Sequence, residues 1–311
     1  MKNIKLKLSY LCLALLVGFA FVACEIEEPV FEYVPIAQTA TGEKLVSQTD
    51  LFAQVYSDRT YTLVNGVDAT EIAYLSQKGL AMRIFIFEVD LSNPNVTIET
   101  STPFNKPAFA MQQMTQQALY EDEPGHLVWG GINADFYNTT NGAPQGIVYK
   151  DGTAIKTTFQ DNICTYFAIT KDNKALVAGQ DVYLSIRSTF KEAVGGRVWL
   201  LQEGIIPQGM SDAIEPRTAI GVSEDGLRVY MLAVDGRNFW YSNGMAYEEL
   251  GKCMKALGAY NAINLDGGGS TTFFIRNTPE FTENRFEIRN WVYDNGGQER
   301  AVANGLVIIS K

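Results

Sequence analysis

The sequence predicts an α+β fold built on an extensive mixed or antiparallel sheet with a few packed helices. Three observations point there. Short apolar runs recur from residue 82 to residue 309, Gly and Asp-Gly turns separate them, and few stretches carry a helical period. No regular repeat and no strict strand–helix alternation runs through the chain, which argues against a doubly wound α/β arrangement. With 311 residues, 46% of them apolar and 12% aromatic, there is ample material for a buried core.

The elements follow in order. Lys2, Lys5 and Lys7 head an apolar run over residues 8–22, which Ala23-Cys24 closes. This is the layout of a secretory leader, and the small residue before Cys24 resembles a bacterial lipobox. Residues 1–23 are expected to leave as a signal peptide and Cys24 to carry lipid, anchoring an exported chain to a bacterial cell envelope. The run is shorter than the ~20 residues a spanning helix needs. Residues 24–49, with Glu25, Glu27, Glu28, Pro29 and Pro35, read as a tether, 50–79 as an N-terminal segment and 80–311 as the main domain.

Within that domain, residues 82–89 and 96–100 are expected strands flanking an Asn93-Pro94-Asn95 turn, 109–119 a helix and 127–134 an apolar strand. Several short strands fill 146–201. Residues 218–222 and 227–234 flank Glu224-Asp225-Gly226 as a hairpin. Residues 244–257 carry Met245, Leu250, Met254 and Leu257 on a helical period, with Gly258 in the stop position. Residues 260–265, 272–275 and 306–309 complete the strands. Cys164 and Cys253 stand in no redox or metal spacing and read as buried free thiols, although an exported compartment also permits a disulfide.

The charge balance removes some functions. Asp and Glu number 35 against 25 Lys and Arg, a net charge of −10, which argues against a sequence-independent nucleic-acid binder. A single histidine, His126, leaves no multi-histidine zinc site and, without a Gly-x-Ser-x-Gly elbow, little basis for a Ser-His-Asp hydrolase. Acid–base work then falls to carboxylates.

Those carboxylates cluster at strand ends. Ile132-Asn133-Ala134-Asp135 and Ile263-Asn264-Leu265-Asp266 share one pattern, an apolar strand closing in Asn-x-Asp, and side chains two apart project from the same face. A third strand delivers Asp235. Such residues also serve as plain turn formers, but three in one chain point to a shared polar cleft. After Asp266 come Gly267, Gly268, Gly269, Ser270 and Thr271, a bend whose N–H and hydroxyl groups suit a phosphate or sugar; it lacks the lysine of a nucleotide P-loop. Arg217, at a strand entry beside Thr218, and Arg300, after Glu299, offer the planar forks that hold phosphate oxygens.

Six ordered segments carry a resemblance: Ile132-Asn133-Ala134-Asp135-Phe136-Tyr137, Ala193-Val194-Gly195-Gly196, Pro216-Arg217-Thr218-Ala219-Ile220-Gly221, Ala233-Val234-Asp235-Gly236-Arg237, Asn264-Leu265-Asp266-Gly267-Gly268-Gly269-Ser270-Thr271 and Glu299-Arg300-Ala301-Val302-Ala303-Asn304. Together, over roughly residues 80–310, they resemble the phosphodiester glycosidase family, although many relatives have Asn-Gly-x-Phe at the first of them. The resemblance implies removal of α-N-acetylglucosamine from a sugar phosphodiester, leaving a phosphomonoester. On that reading Asp266, Asp235 and Glu299 are the catalytic carboxylates. Asn133, Asp135, Arg217, Thr218, Gly267, Gly268, Gly269, Ser270, Thr271 and Arg300 would bind the substrate, a phosphorylated glycan. No cofactor is required, and a divalent metal is compatible with the aspartates. Two alternatives stay open: a non-catalytic glycan-binding lipoprotein and a phosphodiesterase acting on glycan phosphodiesters.

Overall fold

Seven strands form the central sheet of this computed structural model, which describes residues 33–277, 281–282 and 284–311. In spatial order they are β1 (Phe52–Val64), β2 (Val67–Ser76), β3 (Ala81–Asp90), β13 (Arg228–Val234), β12 (Arg217–Val222), β14 (Asn261–Leu265) and β11 (Trp199–Leu201), each pair antiparallel. A second sheet runs β7 (Thr153–Lys156), β6 (Val148–Lys150), β10 (Phe190–Gly196), β8 (Thr165–Thr170), β9 (Ala175–Gly179). A third runs β16 (Phe286–Ile288), β15 (Phe273–Arg276), β5 (Leu127–Asn133), β17 (Gly305–Ser310), β4 (Val96–Ser101). Pro35–Lys311 pack as one unit. The expected leader and the expected lipidation site, Cys24, lie outside the described residues.

Period-2 alternation explains the layers. On β3, Phe85, Phe87 and Val89 enter one core with Ile132, Phe167, Phe273 and Leu306 of the other two sheets, and the Phe87 and Phe273 rings stack at 4.0 Å. Ile84 and Ile86 enter a second core on the opposite face. Two helices cover that face, α1 (Ala40–Gln48) through Leu45 and α4 (Tyr247–Leu257) through Leu250, Cys253, Met254 and Leu257. Apolar residues three and four apart thus place one stripe of α4 on the sheet. Gly258 ends α4 at φ 109°, a conformation glycine adopts without strain.

Three sequence expectations need correction. The segment read as a tether contains α1, whose Leu45 is fully buried and whose N-terminus is fastened by Thr39 and by Asp58, which accepts from the Gln38 and Thr39 amides. Residues 50–79 do not stand apart either, since β1 and β2 extend the sheet of β3. The helix expected over 109–119 is instead α2 (Met114–Glu121), because Gln112 pairs with Val302 as a β-bridge and holds the preceding residues extended. The hairpin of β12 and β13 forms as expected, and Cys164 and Cys253 are buried and free.

Candidate functional site

The triple-glycine bend is positioned by its neighbours. Asp266 leaves β14 with its N–H on the Ala134 carbonyl at 2.8 Å and its carbonyl on the Asn133 amide at 2.7 Å. Gly268 adopts φ +59° and donates to the Pro216 carbonyl at 2.9 Å. A β-carbon on Gly267 would sit 2.5 Å from that same carbonyl oxygen, so only glycine passes there. The Ser270 and Thr271 amides close onto Gly267 and Gly268, both at 3.2 Å. The Gly268, Ser270 and Thr271 N–H groups therefore hold the shape of the bend.

Around the bend a charged cluster assembles. The Asp266 carboxylate is pushed up to about 6 by burial, partly offset by the Ser270 hydroxyl and the Arg300 guanidinium. Tyr137, on the loop after β5, faces Ser270, Asp266 and Arg300, and donates its hydroxyl to the Ala301 carbonyl at 2.9 Å. Arg300 lies so close over Gly269 that a β-carbon there would collide with its guanidinium. Arg237 covers Gly268 and is held by Glu215 at 2.7 Å and by Asp294.

Asp135 joins this cluster from the end of β5. It is buried, takes the Gly146 amide on Oδ2 at 2.7 Å, and its Oδ1 makes no hydrogen bond among the described residues. Burial raises it to about 7; the Gly146 amide and the Lys156 charge oppose the shift and the Asp266 charge adds to it. Thr271 Oγ1 and Asn304 Nδ2, also buried, are likewise without partners among the described residues. Unsatisfied buried polar atoms gathered near one carboxylate pair are uncommon away from a functional site.

Other expected site residues face elsewhere. Arg217 and Thr218 are consecutive on β12 and so project to opposite faces. Thr218 donates to Asn133 at 2.8 Å, whereas Arg217 turns to the α4 face, where it binds the Met245 and Ala213 carbonyls at 3.0 and 2.7 Å and lies 4.0 Å over the Tyr247 ring. Burial there lowers its pKa. Asn133 is spent as well, since its Oδ1 accepts from Thr218 and from the Thr272 amide at 3.0 Å. Asp235, raised to about 7 by burial, accepts from Asn290 at 3.0 Å and from the Trp291 amide at 2.7 Å. It reaches the bend only through Asn290, which also binds the Thr271 carbonyl. Glu299 caps α2 through the Thr115 amide and hydroxyl, and burial raises its pKa.

Two of the three aspartate-bearing strand ends therefore meet, at Asp135 and Asp266. Tyr137 and Arg237 complete the cluster without having been assigned a role in it from sequence, although each closes one of the motif segments. Among the described residues no group of three or more His, Cys, Asp or Glu side chains is arranged to hold a metal ion.

Comparison with known proteins bears on this site. The phosphodiester glycosidase family profile matches residues 128–309. The N-acetylglucosamine-1-phosphodiester alpha-N-acetylglucosaminidase of Mus musculus is 28% identical over 169 residues, covering 47% of this chain and 31% of that protein. The Bos taurus protein of the same name is 31% identical over 133 residues, covering 36% and 24%. The match thus spans less than a third of the length of these curated relatives. Among solved structures, the zebrafish catalytic domain of that name, auto-inhibited by its pro-peptide, shares the fold with a TM-score of 0.59 and 21% identity over 81% of this chain and 87% of that one. A hypothetical protein from Synechocystis superposes with a TM-score of 0.58 at 14% identity, over 82% and 64%.

Proposed function

This chain belongs to the phosphodiester glycosidase family, and we propose that it hydrolyses the glycosidic bond of a sugar 1-phosphodiester of the N-acetylglucosamine type, releasing free sugar and a phosphomonoester. One observation carries the reading: the Asp266 carboxylate is set between the Ser270 hydroxyl and the Arg300 guanidinium at the edge of the triple-glycine bend.

The chemistry follows from charge. A phosphodiester is already a good leaving group, so neutralising its charge matters more than protonating it. Arg300, with Arg237 beside it over Gly268, supplies that neutralisation. Asp266, ionised above about 6, assists the attacking water or stabilises the developing sugar cation. Asp135, raised to about 7, retains a proton over part of the neutral range and serves as acid or as a partner for a sugar hydroxyl through Oδ1. Thr271 Oγ1 offers a further contact to the sugar. Arg217, Asn133, Asp235 and Glu299 act in this scheme by holding the frame.

Turnover of methyl N-acetyl-α-glucosaminyl phosphate in heavy-oxygen water tests the scheme. Label in the released sugar supports it, and label in the phosphate indicates a phosphodiesterase instead. Binding without turnover favours a non-catalytic glycan-binding protein, a reading supported by Phe239 and Trp240, which are 63% and 87% exposed. We place the chain, lipid-anchored through Cys24, at a bacterial envelope; a Cys24→Ala chain should leave the membrane fraction.

A further inference from the structure

A cavity of about 480 Å3 shares no residue with the Asp266 cluster; Tyr56, Arg59, Glu71, Arg83, Tyr241 and Arg289 contribute to its lining. Strand register builds its floor. Arg59 pairs with Glu71 and Glu71 with Phe85 across β1, β2 and β3, while Ser57, Ala73 and Arg83 align in a second row. Residues aligned across an antiparallel sheet share a face, so Arg59 and Arg83 rise from the same surface.

The guanidinium groups here are unevenly partnered. Arg289 is matched by Glu71, at 2.5 and 3.2 Å, and by Glu287 at 2.9 Å. Asp58, also at the cavity, spends its carboxylate on the Gln38 and Thr39 amides. Arg59 donates to the Tyr61 hydroxyl at 3.2 Å and forms no ion pair among the described residues. Arg83 lies 4.4 Å over the Tyr241 ring, and its buried Nε makes no hydrogen bond among the described residues. Asp235, the acid whose charge acts on it, is already taken up by Asn290 and Trp291. A partly buried guanidinium without a hydrogen-bonded counter-charge is unfavourable, and a planar fork is shaped to take two oxygens of one anion.

We infer that this cavity is a second, oxyanion-binding site, which takes a phosphate group, free or on a saccharide, between Arg83 and Arg59, with Tyr56 and Tyr241 as walls. The inference does not depend on the reaction proposed above, and its test is arranged accordingly. Inorganic phosphate is titrated calorimetrically into the full chain carrying Arg300→Gln and Arg237→Gln, which removes both guanidinium groups at the glycine bend. Saturable binding is expected. Adding Arg83→Gln should weaken it about tenfold and adding Arg59→Gln severalfold, the loss of charge-assisted hydrogen bonds. Arg59 makes no ion pair, so its variant keeps the test readable if the Arg83 variant melts early. Glucose 1-phosphate binding more tightly than phosphate identifies a sugar phosphate as the occupant, and equal affinity identifies free phosphate; either supports the site. Absence of saturable binding, or an affinity that neither substitution changes, overturns it.

Discussion

The side-chain amide of Asn133 donates to the main-chain carbonyl of Asp266 at 2.7 Å, so it fixes where the carboxylate stands without touching the carboxylate itself. The same residue accepts from Thr218 and Thr272. Asn133→Ala strands three buried polar groups, and we expect a loss of about 2–4 kcal/mol. Chemical denaturation measures it; an unchanged midpoint would show that the brace is dispensable.

Asp266 and Arg300 should separate from Arg217 on mutation. Asp266→Asn and Arg300→Gln are expected to lower kcat by about a hundredfold or more while leaving the melting temperature within a few degrees. Arg217→Ala should do the reverse, costing about 1–3 kcal/mol of stability through its carbonyl bonds and ring contact while the folded fraction keeps its kcat. Paired thermal melts and turnover assays distinguish the two patterns.

The pH profile should carry both carboxylates. With Asp266 raised to about 6 and Asp135 to about 7, kcat/KM is expected to fall about tenfold per unit as pH drops below 6, and to decline above 7 where Asp135 serves as acid. The Asp266 charge raises Asp135, which is still protonated while Asp266 titrates, so Asp135→Asn should remove the alkaline limb and leave the acid limb near 6. An alkaline limb that persists in that variant would remove Asp135 as the acid.

His126 should make stability depend on pH. Its Nε2 lies 2.9 Å from Glu99 and its Nδ1 2.9 Å from the Glu121 carbonyl, which both suit a doubly protonated ring. The Glu99 bond raises it to about 9 despite burial, while Glu99 falls to about 2 because the His126 bond and the Lys191 charge override its own burial. The histidine's contribution is then complete below its ordinary value near 6.5 and fades as pH rises through about 9. Urea unfolding between pH 6 and 9 should show a decline of about 1–3 kcal/mol that His126→Gln abolishes.

Gly269→Ala probes the bend directly. The added methyl collides with the Arg300 guanidinium, the far end of a flexible side chain, so the arginine should move while the fold persists. Turnover falling at least tenfold with an unchanged melt is the expected outcome.

Most of the scaffold was legible before any coordinates. The apolar run over residues 227–234 beside its Asp-Gly turn yields β13, the 3–4 spacing of Leu250, Met254 and Leu257 yields α4, and Gly258 marks its end, because each is a local signal that packing then uses. The first turn of a helix is a weaker signal. Gln112 pairing with Val302, 190 positions away, decided where α2 begins, and nothing near Gln112 announces that partner.

For the site, the residue types and the strand ends that carry them were determined by the sequence alone: Asp135 and Asp266 after apolar strands, glycines where a β-carbon cannot fit, arginines beside them. The tertiary structure decided which of these meet. Arg217 and Arg300 read alike in one dimension, yet strand alternation sends the first to two carbonyls beneath α4, while the loop before β17 brings the second over Gly269. The physical reason is that a buried polar group takes whichever partner the fold brings within hydrogen-bond reach. That choice depends on register and crossing between distant strands, which no local window of residues records.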